Sequence, residues 1–536
     1  MRNGCALEPA APAGSEAGGS PPGLRWLEPV LSGALLLLIL GLLAVSLLYG
    51  TVWVRGYYDD NAYHIPNAIR MAQQLNPLVS PDSPVDSHWF PAGASIPVAL
   101  LLRAAGTINV TNLTGPIAFA LLAFLVYRFT GLWTRMTHVR LACVALTCCI
   151  PLLLGQCLAF YVDIHMALLI VWTVYWVAVA LVRGHSQYAY GAFAVLLLTP
   201  GIKYSGLLYA ALLTPFCVWA VWRAGPPRRP RWYVCLAILF SVAFSSGWYV
   251  RNWWYRGNPV YPFCVPGWAQ ALVKIGGAPY ECDPQHGFVS PATQWPHPFL
   301  PEHWLAYKYY PDMTGDGFGA AFVAAVALAL LAVPVVLPRL AKREREAWLL
   351  VWAAGLVFAL ASPLARAVPR YMLFVPILAT VQVGIWGAQS LARPGRWAAC
   401  ALSTLALGLG VLYCWTNVVA APSARNSLGA ALPYLRPYRP QGIHRYDDVE
   451  LGGQRIGYLS GADNFVALLY DAHLTNKVVP LHFRNYPYHW WREFDTPEQF
   501  IEHVRALGLD AIYIFDPKTP GADLLKTSFP SLIRQP

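Results

Sequence analysis

Residues 30–50, "VLSGALLLLILGLLAVSLLYG", carry no charge, and uncharged apolar runs of similar length recur over the first four hundred residues. Crossing the hydrocarbon core of a bilayer takes about 20 apolar residues in a helix. Lipid offers backbone amides no partner, so a chain built from such runs folds as a bundle of helices. Composition agrees: the chain is 57% hydrophobic and only 12% charged, whereas soluble domains are about 25% charged. Before the first run lies "MRNGCALEPAAPAGSEAGGSPPG", whose Gly, Ala and Pro cannot bury a core. Residues 1–28 are therefore expected to form a disordered tail. They do not read as a signal peptide, because the apolar run is too long and too far in.

The formal net charge of +11 raises nucleic acid as a partner, but the basic residues sit where membrane topology puts them. "RAGPPRRPR" (223–231), "PRLAKRERE" (338–346) and "ARPGR" (392–396) are short basic connectors. The positive-inside rule makes these cytoplasmic, and no nucleic-acid partner is expected. Working outward from them gives about eleven spans: 29–54, 115–132, 139–159, 164–182, 188–200, 203–222, 232–250, 318–337, 347–362, 369–390 and 397–416. The N-terminus then lies inside and the C-terminus outside. "HWFPAGASIPVALLLRAAG" (88–106) is read as interfacial or re-entrant, since a further span there would turn the basic "TRMTHVR" outward. The expected architecture is an α-helical polytopic membrane domain over 29–416, with outer loops 55–114 and 251–317. Residues 417–536 follow as a small extracytoplasmic α/β domain, because short β-branched runs such as "RIGYLS" and "DAIYIFD" alternate with amphipathic segments.

Charges at a membrane edge are costly, and each raises a functional reading. The outer side collects Asp59 and Asp60 in "YYDDNAYH", Asp163 in "YVDIH", Lys203 in "PGIKYSG", Arg251 and Arg256 in "VRNWWYRGNPVYPF", and Arg366 and Arg370 in "LARAVPRYM". Carboxylates from early loops and cations from later ones suggest a divided site, with acids serving as base and cations holding phosphate. Plainer readings stand beside each. Either early Asp, or Asp163, suits a helix cap; Lys203 suits a snorkelling anchor; the arginines suit interface anchors; "GNPVYPF" suits a turn. The Trp- and Tyr-rich outer segments read first as an interfacial belt.

The stretch "DDNAYHIPNA", an aspartate followed by the aromatic–His pair Tyr63–His64 just after the first span, resembles the first outer loop of GT-C glycosyltransferases. "VRNWWYRGNPVYPF", "GDGFGAAF" (315–322) and the Arg370–Tyr371 pair of "PRYMLFVPIL" resemble segments of the bacterial, polyprenyl-phosphate-sugar-dependent branch, which includes the lipid A aminoarabinose transferase and is related to the protein O-mannosyltransferases. The resemblance covers roughly residues 30–390. It implies a many-helix fold in a bacterial inner membrane, with the site at the outer face and transfer that inverts the anomeric centre. Asp59 matches the catalytic aspartate, Asp60 its less regular neighbour, and Asp163 the second acidic position. Tyr63, His64, Lys203, Arg251, Arg370 and Tyr371 are the expected substrate-binding residues. The implied partners are a polyprenyl-phosphate sugar donor, an envelope acceptor and membrane lipid. Some relatives use a divalent cation and others do not, and no compact His/Cys cluster for zinc is evident.

Such a donor brings its own leaving group, so no nucleotide-binding fold is required. A carboxylate accepts the acceptor's proton, and preorganised cations stabilise the departing phosphate. A transporter or flippase of a lipid-linked sugar is the competing class. It predicts repeated halves and broken mid-membrane helices, whereas the charges here gather at one face. A lipid-linked glycan polymerase or ligase is chemically close but lacks the early acidic motif. Most of the eleven cysteines lie in spans; Cys264 and Cys282 share the long outer loop and are the candidates for a disulfide.

Overall fold

The computed structural model describes residues 26–51, 64–74, 89–158, 160–225, 232–264, 270, 326–327, 330, 333–334, 336–361, 369–388, 393–414, 452–459, 469–471, 473–481, 494–515 and 517–534. These residues are mainly helical. Helix α1 (Leu27–Thr51) is followed by α2 (Ile65–Gln74) and α3 (Ser95–Ala105). A 3₁₀ turn (Ile108–Leu113) then leads into α4 (Thr114–Thr130). Next come α5 (Thr137–Cys148), α6 (Pro151–Leu158), α7 (Asp163–Arg183), α8 (Ser186–Leu196), the single turn α9 (Thr199–Ile202), α10 (Ser205–Ala224) and α11 (Trp232–Arg256). Beyond these lie α12 (Lys342–Ala361), a 3₁₀ turn (Pro369–Met372), α13 (Phe374–Ala388) and α14 (Arg393–Cys414).

Among the described residues, five helical stretches are long and apolar enough to cross a membrane: Leu27–Leu48, Ile108–Thr130, Asp163–Arg183, Ser205–Ala224 and Trp232–Arg256. Other expected spans differ in detail. The span expected at 139–159 is two helices, because Pro151 disfavours a helical Ile150 before it and itself suits the first position of a new helix. The span expected at 188–200 ends at Leu196, and "TPGI" forms a separate turn. Helix α11 runs to Arg256, six residues past its expected end, which places Arg251 on the helix rather than in the following loop. At eleven residues, α3 is about 16 Å long, too short to span the membrane.

Helix α7 is the centre of the bundle. It packs on α4, α8, α10, α12 and α13, and 72% of its most apolar window is buried, against 17% for α11. In lipid, packing of small residues takes the place of hydrophobic collapse. Gly191 of α8 lies so close to Trp176 of α7 that an added Cβ would meet its ring at 2.4 Å. The far ends of α10 and α12 meet through a bidentate pair, with Arg223 Nε and Nη2 donating to Glu346 Oε2 and Oε1 at 2.9 and 2.7 Å. Two of the basic connectors thus share one end of the bundle. Lys203, just before α10 begins, is at the other.

Near the C-terminus, strands β1 (Arg455–Leu459), β2 (Lys477–Pro480), β3 (Ala511–Ile514) and β4 (Ile533–Arg534) form one parallel sheet in the order β2-β1-β3-β4. Parallel pairing requires crossovers, and α15 (Pro497–Ala506) and α16 (Ala522–Ser528) lie in two of them. Thr496 caps α15 by accepting from the Gln499 amide. Leu459, Ile512 and Ile514 face Phe500, Val504 and Leu525, while Ile456, Tyr458, Ala511 and Tyr513 share the other face with Val478 of β2 and pack on Leu469. Both sheet faces are covered, as a parallel sheet requires.

Candidate functional site

At the end of the bundle away from the Arg223–Glu346 pair, three charged side chains converge from three separate elements. Asp163 is the first residue of α7, and its side chain is 4% exposed. The residue in the capping position is Val162, and it makes no side-chain cap. The Asp163 oxygens instead meet cations. Oδ1 accepts a hydrogen bond from Lys203 Nζ at 2.8 Å, and Arg370 Nε lies 3.8 Å from Oδ2. The partial positive charge of the α7 N-terminus adds to the same effect.

Local sequence explains how Lys203 reaches this point. "TPGI" makes one helical turn, after which Lys203 is extended (φ −159, ψ 152) before α10 starts. The turn is seated tightly: the Gly93 amide donates to Gly201 O at 2.9 Å, and a Cβ on Gly93 would lie 2.6 Å from that oxygen. Arg370 comes from the 3₁₀ turn before α13, its guanidinium 5.2 Å from the centre of the Tyr161 ring. Lys203 and Arg370 remain 21% and 12% exposed, so both cations keep a face toward solvent.

His64, at the start of α2, closes one side. Its ring lies edge-on to Phe160 at 5.7 Å and to Tyr161 at 6.3 Å. Burial, and then the Lys203 charge, push its pKa well below the ordinary histidine value. Arg370 and His165 act in the same direction, and only Asp163 opposes them. His64 is therefore neutral at physiological pH. His165, absent from the sequence-derived set, stands two residues past Asp163 with Nδ1 3.3 Å from Tyr161 O. Its Nε2 is buried and makes no hydrogen bond among the described residues. The signal was present in "DIH", a second ionisable group at a membrane edge.

Arg251 is placed differently. It is 5% exposed; Nη2 donates to Trp89 O at 2.6 Å, and Nε and Nη2 donate to Asn252 Oδ1 at 3.0 and 2.9 Å. The Trp89 and Trp248 rings lie 5.4 and 5.2 Å from its guanidinium. Asn252 Nδ2 also donates to Trp89 O at 3.0 Å and to Tyr204 OH at 2.8 Å, and Tyr204 OH donates to Tyr261 O at 2.5 Å. Arg256 sits over Trp89 and Tyr261, at 4.6 and 5.1 Å. The segments "HWF", "VRNWWYR" and "NPVYPF" thus form one aromatic node. It adjoins the ion-paired centre through the neighbouring residues Lys203 and Tyr204.

Asp59, Asp60 and Tyr63 lie outside the described residues, as does the side chain of Tyr371. Cys264 is described and Cys282 is not. No group of three or more His, Cys, Asp or Glu side chains suited to a metal ion occurs among the described residues.

The fold and centre define a class: a polytopic helical membrane protein with an ion-paired polar site at one end of its bundle. No family model matches the sequence, and no curated protein matches it. Among solved structures the chain is similar to the cryo-EM structure of the arabinofuranosyltransferase AftD from mycobacteria, at 16% identity and a TM-score of 0.43. That likeness covers 96% of this chain but only 37% of that one. The chain thus spans little more than a third of the length of the protein it resembles.

Proposed function

We propose that the chain is an integral-membrane, inverting glycosyltransferase of GT-C type. It moves a sugar from a polyprenyl-phosphate donor to an acceptor in the envelope, working at the outer face of a bacterial inner membrane. The observation that carries the reading is the Asp163 carboxylate held between Lys203 and Arg370 at the bundle end opposite the Arg223–Glu346 pair. The ordered motifs around "DDNAYH", "VRNWWYRGNPVYPF" and "PRYM" support it independently.

In this reading the acceptor oxygen attacks the anomeric carbon and gives its proton to Asp59, with Asp60 beside it. The bond between the anomeric carbon and the phosphate oxygen breaks, and its electron pair leaves with the phosphate. Lys203 and Arg370 lie where they can meet that charge, and charge stabilisation of this kind is worth most in a preorganised, partly dry site. Asp163 holds the two cations in place before the donor arrives. Neutral His64, with Tyr63 and Tyr371, borders the donor pocket. Arg251 acts through the aromatic node that fixes Tyr204 and hence Lys203. Cys264 and Cys282 form the outer-loop disulfide. The N-terminus is cytoplasmic and the sheet extracytoplasmic.

The test compares envelope glycans, lipids and glycoproteins by mass spectrometry in a gene-deletion strain complemented with variants. Loss of one sugar from one molecule identifies both substrates. Asp59→Asn should then lower turnover about 10²–10⁴-fold, the range for a positioned acid or base. As a helix cap it should be nearly silent, because Asn caps about as well as Asp. Near-normal product from a well-expressed Asp59→Asn protein overturns the assignment of the base.

A further inference from the structure

Among the described residues, the C-terminal sheet meets the helix bundle at a tightly organised contact. Gln73, near the end of α2, donates from Nε2 to two backbone carbonyls, Leu474 O and Asn476 O, each at 2.8 Å. Both acceptors belong to the segment "DAHLTN" (471–476), which leads into β2. Asp471 is buried and serves as the template for this segment. Its Oδ1 accepts from the Asn476 amide at 2.7 Å, and its Oδ2 accepts from the His473 amide at 3.1 Å and the Thr475 hydroxyl at 2.9 Å. The Thr475 hydroxyl also accepts from the Gly453 amide at 2.6 Å, and Asn476 Oδ1 accepts from the Gln454 amide at 2.9 Å. The segment is thereby tied to the residues just before β1.

Inside it, Leu474 has φ 61, the one positive φ at a non-glycine residue among those described. An L side chain is strained there, and strain persists only where the surroundings over-determine it. The three Asp471 bonds do so. The conformation has a consequence at a distance. It presents Leu474 O to Gln73 and lets the Leu474 side chain pack on a buried cluster of Ile65, Ala68 and Ile69 from α2 with Phe160. Phe160 in turn lies edge-on to both His64 and His165. Continuous contact therefore runs from Asp471 through α2 to the ion-paired centre.

We propose that the 471–476 segment is a positioning device: it docks the C-terminal sheet onto α2 and so holds His64 and Phe160 against the Asp163–Lys203–Arg370 centre. What that centre does rests on the glycosyltransferase reading; the docking does not. Asp471, Leu474 and Gln73 are positioning residues.

The experiment uses the full-length protein in lipid nanodiscs, with amide hydrogen exchange followed over 65–74 and over the strands 455–459 and 511–514. Gln73→Ala removes two hydrogen bonds from an exposed side chain and leaves the sheet intact. It should speed exchange in 65–74 about tenfold without changing the strands. Asp471→Ala should do the same or more, and Asp471→Asn, which keeps an acceptor for the Asn476 amide, should fall between. Undocking also lets water reach His64. The acid limb of the pH profile of product formation, read on the envelope molecule lost in the deletion strain, should then shift upward, toward the ordinary histidine value of about 6.5 but short of it, because Lys203 and Arg370 still oppose protonation of His64. Unchanged exchange over 65–74 in both alanine variants overturns the docking. Faster exchange with unchanged product and pH profile overturns the positioning role. If the deletion strain loses no envelope sugar while Gln73→Ala still loosens α2, the glycosyltransferase reading fails and the docking stands.

Discussion

The chain places cations in two neighbouring settings at the same end of the bundle, and uses them in opposite ways. At the ion-paired centre Lys203 and Arg370 meet one carboxylate and keep part of their surface open. In the aromatic node Arg251 is almost fully buried, and its donors go to a backbone carbonyl, an amide oxygen and two indole faces. A guanidinium with that many protein partners has little left for a ligand. An ammonium that meets a carboxylate and keeps part of its surface open can also meet a phosphate oxygen. The difference teaches that charge at a membrane edge does not by itself mark a ligand site; the partners the charge already has decide its use.

The comparison predicts its largest effect at Arg251. Arg251→Ala leaves Trp89 O short of a donor and Asn252 Oδ1 unmet in a buried setting, and removes two cation–π contacts. The expected loss is about 3–5 kcal/mol of stability, read as a fall in melting temperature and in the yield of monodisperse protein. A stable Arg251→Ala protein that fails only in binding the donor would move Arg251 to the phosphate and erase the distinction between the two settings.

Lys203→Ala should instead lower melting less than Arg251→Ala, because Arg370 still faces the Asp163 carboxylate, while lowering kcat/KM in the proposed sugar transfer about 10²-fold, the usual cost of one charge-stabilising donor. Part of that loss should appear as a higher KM. Lys203→Arg should restore much of it. Substantial unfolding in Lys203→Ala would show that the centre, like the node, is structural.

The smallest effect concerns pH. The folded-state pKa of His64 is lowered, first by burial and then by Lys203, so protons favour the unfolded chain. The stability that neutral His64 allows is fully present above the unfolded value near 6.5 and is lost as pH falls below it toward the folded value. The loss is up to about 1.4 kcal/mol per pH unit within that window. Melting temperatures between pH 7.5 and 5 should therefore fall on acidification, and the slope should flatten in His64→Gln. An equal slope in that variant would assign the acid sensitivity to another group.

Hydropathy alone located α1, α4, α7 and α10 within a few residues, because the hydrocarbon core imposes one length on any helix that crosses it. It misjudged 139–159 and 188–200, where Pro151 and the "TPGI" turn break apolar runs that a sliding window joins. It ended α11 too early, because Arg251 and Arg256 read as loop charges while their true partners were out of view.

The candidate site divides in the same way. Sequence chose Asp163, Lys203 and Arg370 as costly residues at a membrane edge and His64 through the resemblance of "DDNAYH", and could choose them one at a time. It passed over His165, Asn252 and Trp89, whose roles arise from neighbours distant in the chain. Lys203 stands 40 positions from the carboxylate it meets, and Gln73 stands 401 from the carbonyl it caps.

By itself, then, the amino-acid order determined that this chain is a membrane helix bundle with basic connectors gathered apart from a scattered set of acids and cations. Solvation energies act residue by residue and need no partner. Tertiary structure alone decided that Asp163 is held by Lys203 and Arg370, that Arg251 is enclosed by indoles, and that a left-handed Leu474 joins the C-terminal sheet to α2. Ion pairing and hydrogen bonding act over a few ångströms, and only the packing of helices remote in the chain brings those groups within that range.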